Sequence, residues 1–88
     1  MNEKGISPAE EEGRILVESN ILMELPDIED TQWKYHPLRQ EHSCCFSKGT
    51  KSRTLVFSRE MLRTIAANPD NALDMLKETI LEIKRRVL

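Results

Sequence analysis

Two short runs that are typical of β-strands flank Gly49-Thr50. They constrain the fold more than any other feature of the chain. A turn centred on Gly49-Thr50 predicts an antiparallel hairpin that pairs Ser47 with Ser52 and Cys44 with Leu55. Because side chains alternate along a strand, the register assigns every residue to a face. The face predicted to meet the core holds His42, Cys44, Phe46, Arg53, Leu55 and Phe57. The opposite, mostly small and polar face holds Ser43, Cys45, Ser47, Ser52, Thr54 and Val56.

The residues before the hairpin predict a helix and a further strand. Ser7 suits a helix cap, Pro8 suits the first helical position, and Glu10 completes a capping box after a flexible terminus at 1–6. Apolar spacing at 15–25 suits a continuation of this helix or two short strands. An acidic connector at 26–31 then leads into a strand with Trp33 and Tyr35 on one face.

The C-terminal third predicts two helices. Ser58 is a good cap for the first, and Asn68-Pro69-Asp70 restarts a second helix of about twenty residues. The second helix carries an apolar stripe at steps of three and four residues, namely Leu73, Leu76, Ile80, Ile83 and Val87. The fold class predicted for 1–88 is therefore α+β, as one small domain: a helix, a two- or three-stranded antiparallel meander, and two helices on one sheet face.

Composition excludes several classes of protein. The 88 residues suffice for one domain, and no apolar run approaches the length of a membrane span. The start of the chain is acidic and polar rather than basic and then apolar, so we expect a cytoplasmic protein. No phosphate-cradling glycine loop or nucleophile motif is present, so we expect neither an enzyme nor a cofactor.

Cys44 and Cys45 are the only cysteines, and they are adjacent. Neighbouring strand residues point to opposite faces, so the two thiols are poorly placed to bind one metal ion. We therefore expect no metal site, a buried Cys44 that acts as a small apolar residue, and a more exposed Cys45.

Charge is unevenly distributed along the chain. Residues 1–30 hold nine acidic and two basic side chains, whereas residues 31–67 hold seven basic and two acidic ones. A basic surface of this kind suits an anionic partner such as nucleic acid, and the alternative is that the acidic arm packs against the basic middle. The candidate residues for anionic partners are Lys48, Lys51, Arg53, Arg59 and Arg63.

The segment RTLVFSREMLRTIAANPDNALDMLKETILEIKRRVL, residues 53–88, resembles the strand–helix–helix order of ribbon-helix-helix repressors. The resemblance implies that outward strand residues, here Thr54 and Val56, would enter the DNA major groove. Leu55 and Phe57 would then face inward.

The function that we expect from the sequence is a small, non-enzymatic binding or regulatory module that acts through protein–protein contacts. The apolar stripe averages 3.5 residues per repeat, the period of a coiled-coil seam, so its five residues are the candidate interface of a homodimer. Met75, Leu81 and Leu88 lie off the stripe and form a second apolar flank. Nucleic-acid binding by the basic hairpin and the following helix is the alternative function.

Overall fold

Helix α1 spans Pro8–Glu24, so the choice between helix and strands for residues 15–25 is decided in favour of the helix. The computed structural model describes residues 5–88. The predicted capping box is confirmed: the Ser7 hydroxyl accepts a hydrogen bond from the Glu10 backbone, and the Glu10 side chain accepts one from the Ser7 backbone. Of the predicted flexible terminus, 1–4 lie outside the described residues, whereas the Gly5 carbonyl accepts a hydrogen bond from Arg59.

Three antiparallel strands form one sheet in the order β1-β2-β3. They are β1 (Asp30–His36), β2 (Glu41–Lys48) and β3 (Lys51–Ser58). The acidic connector is shorter than the predicted 26–31, because β1 begins at Asp30. The predicted hairpin register is confirmed, since Ser47 pairs with Ser52 and Cys44 with Leu55.

The turn between β2 and β3 owes its shape to Gly49, whose φ is 60°. A positive φ at the first central residue and not at the second is the pattern of a type II′ turn, which favours glycine there. The twist of such a turn matches the twist of the strands that it joins, and the two-residue loop sets the register of both.

The chain after the sheet forms more helical segments than the two that the sequence predicts. Helix α2 spans Arg59–Ala67 and is capped by Ser58, whose hydroxyl accepts from the Met61 backbone. A 3-10 turn at Pro69–Asn71 leads into α3 (Ala72–Met75), and α4 follows at Lys77–Val87. The prediction of one continuous helix from Pro69 is wrong, because the chain bends at Leu76 and buries that side chain completely.

The core lies between one face of the sheet and the helices. Cys44, Phe46 and Phe57 from the strands pack in one cluster with apolar residues of α1, α2, α3 and α4. The opposite face of the sheet is more open, and Val56 on it is 57% exposed. The α+β architecture with helices after one antiparallel sheet is thus the one predicted. Within 5–88, no helix has both the length and the apolar character that a bilayer crossing requires.

The crossing of α1 and α2 depends on Gly13. A Cβ atom at this position would lie 2.3 Å from the backbone oxygen of Leu62. Backbone atoms cannot yield as a flexible side chain does, so only glycine allows the two helices to approach this closely. The approach buries Leu62 and Ile65 of α2 against α1.

We therefore predict that Gly13→Ala lowers the free energy of unfolding by roughly 1–3 kcal/mol, the usual cost of overpacking. Alanine favours an ordinary helix over glycine by about 1 kcal/mol, so the sign of the effect is diagnostic. Urea denaturation followed by circular dichroism measures it. Glu12→Ala, an exposed position in the same turn of α1, is the control and should change stability by less than about 0.5 kcal/mol. A stabilised Gly13→Ala variant would contradict the helix contact.

Candidate functional site

A cluster of charged and polar side chains surrounds the carboxylate of Glu10, whose side chain is completely buried. Its Oε1 accepts hydrogen bonds from His42 Nε2 at 2.9 Å and from Arg59 Nε at 2.8 Å. Its Oε2 accepts from Ser7 Oγ at 2.8 Å and from Arg59 Nη2 at 2.9 Å. Arg63 Nη1 lies 3.5 Å from the same oxygen. Glu10 thus joins α1, β2 and α2.

The imidazole of His42 is the second buried member of this cluster. Arg14 Nε donates to His42 Nδ1 over 2.8 Å. An arginine nitrogen can only donate, so Nδ1 is the acceptor and Nε2 carries the proton that is donated to Glu10. Both ring nitrogens are therefore used inside the protein.

Two aromatic side chains of β1 pack against His42, Arg14 and Arg59. The Tyr35 and His42 rings lie 4.9 Å apart, and the Arg59 guanidinium lies 5.9 Å from the Tyr35 ring centre. The Arg14 guanidinium lies 5.1 Å from the Trp33 ring centre, within the range of a cation–π interaction. These ring contacts connect the cluster to β1 as well as to the helices.

Opposing influences act on the Glu10 carboxyl. Burial by itself raises the pKa, but hydrogen bonds from Arg59, His42 and Ser7 outweigh burial and lower the pKa to about 2. The bond to Glu10 also raises the pKa of Arg59. Glu10 is therefore ionised at neutral pH. Because its oxygens and both nitrogens of His42 are engaged and neither side chain reaches solvent, this arrangement suits a structural role.

The basic residues predicted to bind an anionic partner do not form one patch. Arg59 and Arg63 pair with Glu10, and Arg53 Nη2 lies 2.9 Å from Glu82 Oε2 of α4. Lys48 and Lys51 are exposed at the hairpin tip, about 26 Å from Arg59 at ~3.3 Å per residue of strand. Nucleic-acid binding stays a prediction, and the two lysines are its best remaining candidates.

The predicted dimer stripe is used within the protomer. Leu76, Ile83 and Val87 are at most 2% exposed and belong to the core. Ile80 is partly buried against that core, whereas Leu73 is 40% exposed. The second apolar flank faces outward instead, with Leu81 at 50% and Leu88 at 41% exposure.

The two thiols lie on opposite faces of β2. Cys44 is fully buried, and burial together with the charges of Glu18 and Cys45 raises its pKa to about 12. Cys45 is free and only partly covered. Within the described part of the chain, no three His, Cys, Asp or Glu side chains are arranged to hold a metal ion.

A groove runs along β1 beside α1, and sequence reasoning did not identify it. Its main cavity has a volume of about 440 Å³ and lies between α1 and Trp33. A second cavity of about 150 Å³ continues past Leu22 to Thr31. We call this feature the β1 groove, lined chiefly by Glu11, Ile15, Glu18, Leu22, Thr31 and Trp33. The indole Nε1 of Trp33 donates to Glu18 Oε1 over 2.9 Å, which holds one wall in place.

One sequence signal points to the buried role of Glu10. Glu10, Val17 and Ile21 are spaced by seven and four residues, so Glu10 extends the apolar face of α1. An acidic residue at such a position needs a buried partner. The β1 groove has no comparable signal, because its two walls are distant in sequence.

Comparisons with protein-family models, curated proteins and solved structures find no match to this chain. The likeness to ribbon-helix-helix repressors therefore stays a pattern in the sequence. In the structure Thr54 and Val56 point outward, Phe57 faces the core, and β3 pairs with β2 of its own chain.

We predict that Glu10→Gln removes pH-dependent stability. The folded pKa is about 2 against an ordinary 4.5, so the ionised carboxylate contributes on the order of 3 kcal/mol above pH 4.5. This contribution is lost as the pH falls from 4.5 towards 2. Urea titrations at pH 7, 4 and 2.5 should show a large gap between wild type and variant that narrows with acid. Glu11→Gln, the neighbouring residue, should track wild type, and a gap independent of pH would contradict the assignment.

We also predict unequal reactivity of the two thiols. At pH 8, Cys45 should react with a water-soluble maleimide at least about tenfold faster than Cys44, because Cys44 is buried and its raised pKa keeps it protonated. Mass spectrometry of Cys44→Ser and Cys45→Ser measures each rate separately. Equal fast labelling would disprove the register of β2, while equal labelling only in denaturant would support it.

Proposed function

We propose that this protein is a non-catalytic binding module that acts through protein–protein contacts and forms a homodimer. The observation that carries the proposal is the uncovered outer face of α3 and α4, where Leu73, Leu81 and Leu88 remain 40–50% exposed. Leu73 and Leu81 line one groove, and Leu88 follows Leu81 by seven residues, about two helical turns, which places it on the same side of the C-terminal segment as Leu81. Exposed apolar residues grouped in this way mark an interaction surface more often than scattered ones do.

Charge on the same face favours a second copy as the partner. Glu78 lies on the N-terminal side of Leu81, whereas Arg85 lies on its C-terminal side. Two antiparallel copies of α4 that cross at Leu81 would bring Glu78 of one copy near Arg85 of the other. Neither Glu78 nor Arg85 forms an ion pair among residues 5–88. The face is therefore complementary to itself, as a twofold interface requires.

The length of α4 bounds the size of this contact. Helix α4 has 11 residues and is about 16 Å long at ~1.5 Å per residue. Such a contact falls at the small end of specific interfaces, where transient complexes are found, so we expect a reversible dimer. A groove of about 350 Å³ beside Leu73 and Leu81 offers room for a leucine of the second copy.

A cytosolic location belongs to the same proposal. Both cysteines are free, and a reducing compartment keeps such thiols reduced. No other thiol among the described residues forms a disulfide with the half-buried Cys45, which fits that setting.

We predict that Leu81→Glu converts a dimer into a monomer of 10.2 kDa without unfolding it, because Leu81 is half exposed in the protomer. Light scattering and sedimentation from 10 μM to 1 mM measure the mass, and circular dichroism checks the fold. Leu38→Glu is the matched control, since Leu38 is fully exposed in the loop between β1 and β2 and lies outside the proposed interface. A wild type that stays monomeric up to 1 mM would defeat the homodimer.

A further inference from the structure

The strand β1 has an open backbone edge. Lys48 and Lys51 flank a two-residue turn, so their backbone groups hydrogen-bond to each other. Counting back from Lys48, every second residue of β2 therefore bonds to β3. The remaining residues of β2 bond to β1. The Ser47 carbonyl faces β1 accordingly, and there it accepts from the Glu29 N–H, one residue before the Asp30–Ser47 pair. The backbone groups of Thr31 and Trp33 therefore point away from β2. No other backbone group of residues 5–88 bonds to them.

The same two residues direct their side chains into the β1 groove. Trp33 lines its main cavity, and Thr31 lines the cavity that continues past Leu22. An added strand along β1 would place alternate side chains on the groove side, about 6.6 Å apart. The edge and the groove together therefore form one binding surface, in which the backbone gives affinity and the pockets give specificity.

Charge identifies the kind of segment that this surface accepts. Glu11 and Glu18 line the main cavity, and Glu29 and Asp30 line its continuation. Among the lining residues that the structure describes, Arg14 is the one basic side chain, and it is directed to His42 and Trp33. The floor is apolar, since Ile15, Leu22 and Trp33 contribute to it.

We propose that the β1 groove binds an extended segment of a partner protein that pairs with β1 and carries apolar residues flanked by basic ones on its groove side. This proposal deepens the proposed function as a protein-binding module, because it names the class of partner. It does not depend on the homodimer, whose surface is the outer face of α4.

The test uses a blocked heptapeptide, Lys-Thr-Leu-Thr-Leu-Thr-Lys, whose length matches the seven residues of β1. Its sequence is the same in both directions, so parallel and antiparallel pairing present the same side chains. Titration into ¹⁵N-labelled full-length protein should shift the amides of Thr31 and Trp33 and the indole N–H of Trp33. Two control peptides replace both lysines by glutamate or both leucines by serine, and each should bind at least about tenfold more weakly.

Protein variants separate the contributions of charge and backbone. Glu11→Lys should weaken binding about fivefold, whereas Glu12→Lys, the same change off the groove, should alter it less than about twofold. Thr31→Pro removes the outward N–H and should abolish binding, while Thr31→Val retains that N–H and should bind like wild type. Thermal melts by circular dichroism confirm that each variant is folded.

Several outcomes would overturn the proposal. These are no shift at 2 mM peptide, shifts confined to β3 or the outer sheet face, equal binding of the glutamate peptide, and unchanged binding by folded Thr31→Pro. Shifts of the β1 amides that depend on protein concentration in the absence of peptide would show that a second copy of the chain binds this edge. That result would also overturn the proposal. Repeating the titration with Leu81→Glu keeps this result distinct from the homodimer: peptide binding by a monomer supports the groove even where the dimer fails.

Discussion

A single buried carboxylate holds the elements of this protein in place. Glu10 receives hydrogen bonds from Ser7 before α1, from His42 on β2 and from Arg59 at the start of α2. Removing an ion from water is costly unless its bonding capacity is satisfied, and here four donors supply short bonds. The position of α2 over the sheet follows, because Arg59 must reach Glu10 while Gly13 lets α2 approach α1.

One-sided packing leaves two surfaces of the protein uncovered. The helices cover one face of a three-stranded sheet, so β1 keeps an open edge, and the lining of the β1 groove depends on how α1 lies against Trp33. Helix α4 covers the other side of the same face and directs Leu81 and Leu88 outward. A short chain buries too little surface to hide every apolar residue, and Ile15 in the β1 groove and Leu73, Leu81 and Leu88 along α3 and α4 are among those left exposed.

The local features were predictable because their causes are close in sequence. Gly49-Thr50 sets the hairpin register, Ser7 and Glu10 cap α1, and Ser58 caps α2; each involves residues at most a few positions apart. The ion pairs of Arg59 and Arg63 with Glu10 were not predictable for the opposite reason. Their acidic partner lies about fifty residues earlier, and no local pattern connects them.

Sequence by itself determined the class and order of the elements, the faces of the strands and the burial of Cys44, because periodicity and turn chemistry act over a few residues. The tertiary structure decided which of the two apolar flanks of the C-terminal helices faces the core. It also decided that the helix breaks at Leu76 and which basic side chains form ion pairs with acidic ones. Those outcomes depend on packing between segments that are distant along the chain. The β1 groove belongs to the same category, since neither α1 nor β1 contains it alone.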